Sequence, residues 1–180
     1  MLIATLNNTF LMAHLPLVPL TDFPATLTAA VAHGVQTRMI SSTLPLQVWA
    51  HRPAVAQAWL ATLDQLHNHG ILDARLRELV RLRIASYTTC QVCQMARKSV
   101  EVSEADVACL ASDDPHFSPA ERVALRYAEL FASDPLSIDE ALFTDLAQHF
   151  SVPEVVELNM FCALMLAGGR MTQAQRAFEA

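Results

Sequence analysis

The chain has 180 residues, of which 53% are hydrophobic and 17% charged, and a formal net charge of −6. That length suits one domain, and the apolar excess asks for burial beyond a single subunit, which favours a homo-oligomer. The acidic balance, with twelve Lys and Arg in no continuous stripe, argues against a nucleic-acid partner, and no uninterrupted apolar run reaches the roughly 18–20 residues of a bilayer span, which argues against a membrane one.

In chain order, the first twenty residues are apolar but lack a basic start and a small-residue cleavage pattern, so residues 1–20 read as an N-terminal arm and 21–180 as the domain. A first helix is expected from Pro24 to His33, stopped by Gly34, and a short second over Leu46–His51. Pro53 suits the first turn of a longer helix through Trp59, Leu63 and Leu66 to His69, with Gly70 as its stop. Asp73 is a good N-cap for the central helix, which carries Leu76, Val80, Ile84 and Tyr87 at helical spacing. Thr88 and Thr89 favour a helix end, and Thr89 can cap a further helix from Cys90 to about Val100. Ser103 with Asp106, Ser118 with Glu121, and Ser151 with Glu154 mark three more N-termini, with a helix over Ser137–Phe150 between the last two. The last helix is expected to end at Gly168-Gly169. Strand signals are nearly absent, so the fold class is all-α.

Four cysteines are too few for a disulfide scaffold, and Cys109 and Cys162 sit in apolar helical patterns, so a reducing, cytoplasmic setting fits. Cys90 and Cys93 form a CxxC. Thiols at i and i+3 share a helix face and can close a disulfide, while the helix N-terminus favours thiolate. Two inert buried thiols are the plain alternative. A metal site wants four ligands, and no second CxxC or suitably spaced His pair is present: His67 and His69, at i and i+2, point to different sides of a helix. No metal and no cofactor are expected. Nor do the helical flanks suit a thioredoxin-like fold, which needs strands around its motif.

Residues Leu72–Ala85 followed by Cys90-Gln91-Val92-Cys93 resemble the central motif of the AhpD-like and carboxymuconolactone decarboxylase superfamily. His51-Arg52-Pro53, Phe117 to Arg122 and Val156-Glu157-Leu158 resemble further family segments, so the likeness covers roughly residues 20–175. It implies an all-helical trimer or hexamer and, in the AhpD branch, antioxidant reduction of a hydroperoxide or a partner peroxidase through a CxxC disulfide recycled by an external dithiol reductant. The family's glutamate, twelve residues before the first cysteine, is Glu78 here, and Cys90 and Cys93 match its thiols. A straight helix would hold Glu78 and Cys90 about 18 Å apart, so they meet only if the chain turns near Thr88. Glu78 would then accept a thiol proton; alternatively it pairs with Arg81 as a solvated or interface salt bridge.

The family's relay histidines are replaced by Val92 and Arg97. Arg97 is the candidate for stabilising a thiolate by charge, but it cannot shuttle protons near neutral pH. His51 is the candidate substitute histidine, with a cap or surface role as its alternative. Tyr87 is a candidate pocket residue, its place on the apolar face favouring core packing, and Trp49 and Trp59 read as core or interface. The leading expectation is a thiol-dependent peroxidase. The alternatives are a decarboxylase-like enzyme acting on a lactone acid, and a non-catalytic oligomer whose cysteines report redox state.

Overall fold

The structure, a computed structural model, describes residues 13–89, 91–111 and 113–178, and among these it contains helices and no strand. The helices are α1 (Ala25–Gln36), α2 (Leu44–Trp49), α3 (Pro53–Asn68), α4 (Ala74–Thr88), α5 (Gln91–Met95), α6 (Glu104–Ala108), α7 (Pro119–Ser133), α8 (Glu140–Ala147) and α9 (Val152–Gln175). Short 3-10 turns precede α1 and α8.

Local chemistry sets most of the starts. Asp73 accepts hydrogen bonds from the amides of Arg75 and Leu76 at the head of α4, and Ser103 with Asp106 and Ser118 with Glu121 close reciprocal capping boxes on α6 and α7. At α9 the Glu154 carboxylate accepts from the Ser151 amide. Each arrangement satisfies amides that a helix start leaves without intrahelical partners.

Helix α4 is the axis of the molecule, packed between α7 and α9, while α1 lies on α3. One apolar face of α4 (Leu76, Val80, Ile84) joins the main core with Leu60, Leu63, Tyr127, Leu158 and Phe161. The opposite face, Leu79 and Leu82, closes a smaller core with Val102, Phe117 and Leu125. Tyr87 is not part of either: it is 38% exposed, and Thr88 is buried in its place. A 3.6-residue period carried on from Val80 and Ile84 arrives at Thr88, so Tyr87 falls on the outer edge and stacks with Arg83, whose guanidinium carbon lies 5.1 Å from the ring centre.

Glycine does not stop two of the helices expected to end at it. Gly34 lies inside α1, where an added Cβ would come within 2.9 Å of the Met39 side chain. Gly168 and Gly169 lie inside α9, and a Cβ on Gly169 would sit 2.8 Å from Thr88 Oγ1 and 3.0 Å from Thr88 Cβ. Gly169 allows the close approach of α4 to α9, and α9 runs through both glycines for a total of 24 residues. By length and composition α9 is apolar enough to cross a bilayer. Its Leu158, Phe161, Cys162, Leu164 and Gly169 are nevertheless buried within this bundle.

Candidate active site

The site is built where α4 ends. Thr89 adopts the left-handed conformation (φ 51°, ψ 24°) and reverses the chain after Thr88, at the point where the threonine pair predicts a turn. A β-branched residue is strained there, by about 1–2 kcal/mol relative to a right-handed conformation. The turn sends α5, with Cys93 at its middle, back along α4. The helix is shorter than the expected Cys90–Val100 run, and Cys90 lies outside the described residues.

What holds α5 against α4 is a buried ion pair. Glu78 and Arg81 are 2% and 5% exposed, and they meet through two parallel hydrogen bonds, Arg81 Nε to Glu78 Oε2 at 2.7 Å and a terminal nitrogen to Oε1 at 2.8 Å. The same guanidinium donates to the backbone carbonyls of Cys93 at 2.5 Å and Ala96 at 2.7 Å. Glu78 Oε1 also accepts from the Lys98 amide at 2.8 Å. The carboxylate thus orients the arginine, and the arginine holds the carbonyls at the end of α5. The expected salt bridge of Glu78 with Arg81 is present, but it is buried, not solvated.

Cys93 lines a cavity of about 160 Å³. Trp49 and Trp59, which meet edge to face with centroids 5.6 Å apart, form part of the wall together with Leu60, Leu63 and Leu164. Three nitrogen-bearing side chains, His67, Arg81 and Lys98, also reach it. Burial, reinforced by the neighbouring cations Lys98, Arg77 and Arg81, holds the His67 imidazole down to about 4 against the opposing pull of Glu78, so it is neutral near pH 7. Burial, and then Arg81, brings the Lys98 amine down to about 8, again opposed by Glu78. Lys98 Nζ donates to the Arg38 carbonyl and to Ser41 Oγ, both at 2.6 Å.

The other predicted residues lie elsewhere. Arg97 is bound by Glu104 through two contacts of 2.9 Å and donates to the Gln94 and Ala96 carbonyls, and it does not reach the Cys93 cavity. Its charge is therefore neutralised on the side facing α6. The His51 ring nitrogen lies 2.9 Å from the Pro16 carbonyl, tying down the segment before α1. Tyr87 faces Arg83. Of the remaining cysteines, Cys109 and Cys162 are free, and burial pushes the Cys162 thiol far up, which keeps it unreactive.

Sequence reasoning considers His67 only as a metal ligand and passes over Lys98. A signal for His67 exists: it stands four residues after Leu63 and seven after Leu60, on the buried stripe of α3. For Lys98, which follows α5 in an irregular segment, no local pattern announces the cavity.

Residues 53–130 match the carboxymuconolactone decarboxylase family. The uncharacterized protein YnjA of Escherichia coli (strain K12) is 36% identical over 139 residues, covering 72% of this chain and 75% of YnjA. Among solved structures, an AhpD-core, uncharacterized peroxidase-related protein from Ralstonia eutropha JMP134 superposes with a TM-score of 0.73 at 20% identity, covering 92% of this chain and 90% of the other. The debrominase Bmp8, as a cysteine-to-alanine variant in complex with 2,3,4-tribromopyrrole, superposes with a TM-score of 0.79 at 16% identity, covering 95% and 94%. The helical architecture, the match across α3 to α7 and the identity to YnjA agree: the chain belongs to the carboxymuconolactone decarboxylase family.

Proposed function

We propose that the chain is a thiol-dependent oxidoreductase that reduces a small apolar hydroperoxide with the Cys90/Cys93 pair, in a reducing, cytoplasmic setting. The observation that carries this reading is the placement of Cys93 on the wall of an apolar cavity, with its backbone held by the buried Glu78–Arg81 pair. In the reaction, a thiolate attacks the outer peroxide oxygen, the O–O bond breaks, and the alcohol leaves with a proton. The sulfenic acid so formed condenses with the second thiol, releasing water and closing a disulfide, and an external dithiol returns the pair to its reduced state.

Glu78 acts in this scheme as a positioning residue. Both of its oxygens are engaged, so its contribution is to hold Arg81 and, through it, α5. The Lys98 cation on the same wall favours the thiolate form. The chain assembles with further copies of itself through the exposed apolar face of α9. A second reading, removal of halogen from a small aromatic ring, comes from the structural likeness to the debrominase and is favoured by the tryptophan-lined cavity.

The test is consumption of cumene hydroperoxide and hydrogen peroxide by reduced protein supplied with dithiothreitol or a thioredoxin system. Turnover should disappear in Cys90→Ser and in Cys93→Ser. Wild-type turnover no faster than the free-thiol background would sink the peroxidase reading, and bromide release from 2,3,4-tribromopyrrole under the same conditions would put the second reading in its place.

A further inference from the structure

The charges around the Cys93 cavity do not balance. Arg81 is neutralised by Glu78, and His67 is neutral near pH 7. Lys98 is the remaining cation, and among the described residues no carboxylate pairs with it: Nζ gives two protons to the Arg38 carbonyl and Ser41 Oγ, both uncharged acceptors, and its third donor has no acceptor there. A half-buried ammonium at the edge of an apolar space, with no carboxylate of its own, gains from an anion that joins it. The space itself, about 160 Å³, is close to the roughly 150 Å³ of engineered apolar cavities that accept benzene. Its wall is mostly apolar, including Trp49, Trp59, Leu60, Leu63 and Leu164, and Lys98 and Cys93 line it as well. A mostly apolar pocket with one convergent charged group is the usual form of a site that orients a small ligand.

We infer that this cavity binds a ring-sized apolar molecule carrying one anionic oxygen group, a carboxylate or an ionised phenol, with the anion on Lys98 Nζ and the ring against the wall that the two tryptophans form. The inference rests on the reading that this cavity is the substrate site of the dithiol. It narrows the substrate from any small hydroperoxide to one that bears an acidic group, and Lys98 is its specificity-determining residue. A substrate so anchored presents its remaining positions to Cys93 on the same wall.

Trp49 and Trp59 are the only tryptophans in the chain, and both line the cavity, so intrinsic fluorescence reports its occupancy. The experiment titrates the full-length wild type with benzoate, with benzyl alcohol as its uncharged counterpart and with acetate as the head group without a ring. Benzoate is expected to bind roughly tenfold or more tighter than benzyl alcohol, the worth of one hydrogen bond to a charged group, and acetate to leave the fluorescence unchanged. Lys98→Met, which keeps the backbone amide that Glu78 accepts, should erase the preference for benzoate while still binding benzyl alcohol. Lys98→Arg should retain it. The inference is overturned if wild-type protein binds the two ring compounds equally, if the preference survives in Lys98→Met, or if acetate alone gives the response. The wild-type comparison stands even if a variant fails to fold. Benzoate carries no peroxide and cumene hydroperoxide carries no charge, so loss of this inference and loss of the oxidoreductase reading appear in separate assays.

Discussion

Glu78 and His67 sit on neighbouring helices, and each is defined by what burial does to charge. Removing one partner of a buried pair leaves the other uncompensated, so Glu78→Gln should destabilise the protein by about 3 kcal/mol in urea unfolding. Because the same arginine holds α5, that variant should also alter the reactivity of Cys93 toward a thiol reagent. An unchanged unfolding midpoint would contradict the structural role assigned here. His67 makes a different prediction. Its folded value, about 4, lies below the ordinary 6.5, so the unfolded chain takes up the proton first. The stability this group contributes is complete above pH 6.5 and is lost as pH falls toward 4, by at most about 3 kcal/mol. Lys98, Arg77 and Arg81 bear on the imidazole unfavourably and Glu78 favourably. Urea midpoints measured between about pH 7 and about pH 4.5 should therefore fall more steeply for wild type than for His67→Leu; parallel slopes would refute the assignment. Asp106, held well below the usual carboxylate range by Arg75, Ser103 and His116, contributes over a lower window, below about pH 4, and does not mask the effect.

At the level of the element, the left-handed turn at Thr89 and the glycine contact behind it decide where α5 lies. Gly169→Ala would drive a methyl group against Thr88, the last residue of α4, and should cost about 1–3 kcal/mol of stability. Adding Thr88→Ala should recover part of that loss, since the contact with Oγ1 disappears, and a double-mutant cycle on thermal unfolding reads the coupling. The same elements show what is legible in the sequence. Helix starts are written in local chemistry: Asp73, Ser103 and Ser118 each satisfy amides within their own first turn. Helix ends are misread at Gly34 and at Gly168-Gly169 because a glycine inside a helix, such as Gly169 packed close on Thr88, and one placed for a left-handed turn look the same without their neighbours. Conversely, the left-handed residue that ends α4 is Thr89, which carries no glycine signal at all. The cysteine motif and Glu78 can be singled out in the linear sequence. The carbonyls that Arg81 reaches, twelve and fifteen residues away, and the opposite wall supplied by α2 and α3 cannot, because both depend on tertiary placement.

On the scale of the whole molecule, α9 presents an apolar surface that the described residues leave uncovered. On α9, Val152, Val156 and Met160 recur every four residues and are 78%, 53% and 52% exposed, on the side opposite the buried Leu158 and Phe161. A helix that is apolar all round needs cover on every side. In our reading, further copies of the chain supply it, so Val156→Glu combined with Met160→Glu should lower the mass seen by light scattering at micromolar concentration without loss of helical circular dichroism. A mass unchanged from wild type would exclude this face as the interface. The clamp between α4 and α5 has a consequence on the same scale. Arg81 ties the backbone at Cys93 to the central helix, so any preference of the clamp for one chemical state of the cysteines is matched by an equal preference of that state for the intact clamp. Reciprocity then makes the melting temperature a gauge of sulfur chemistry: reduced and oxidised protein should melt apart in the wild type and draw together in Arg81→Met, and the heat tolerance of the bundle would rise and fall with the redox poise around it.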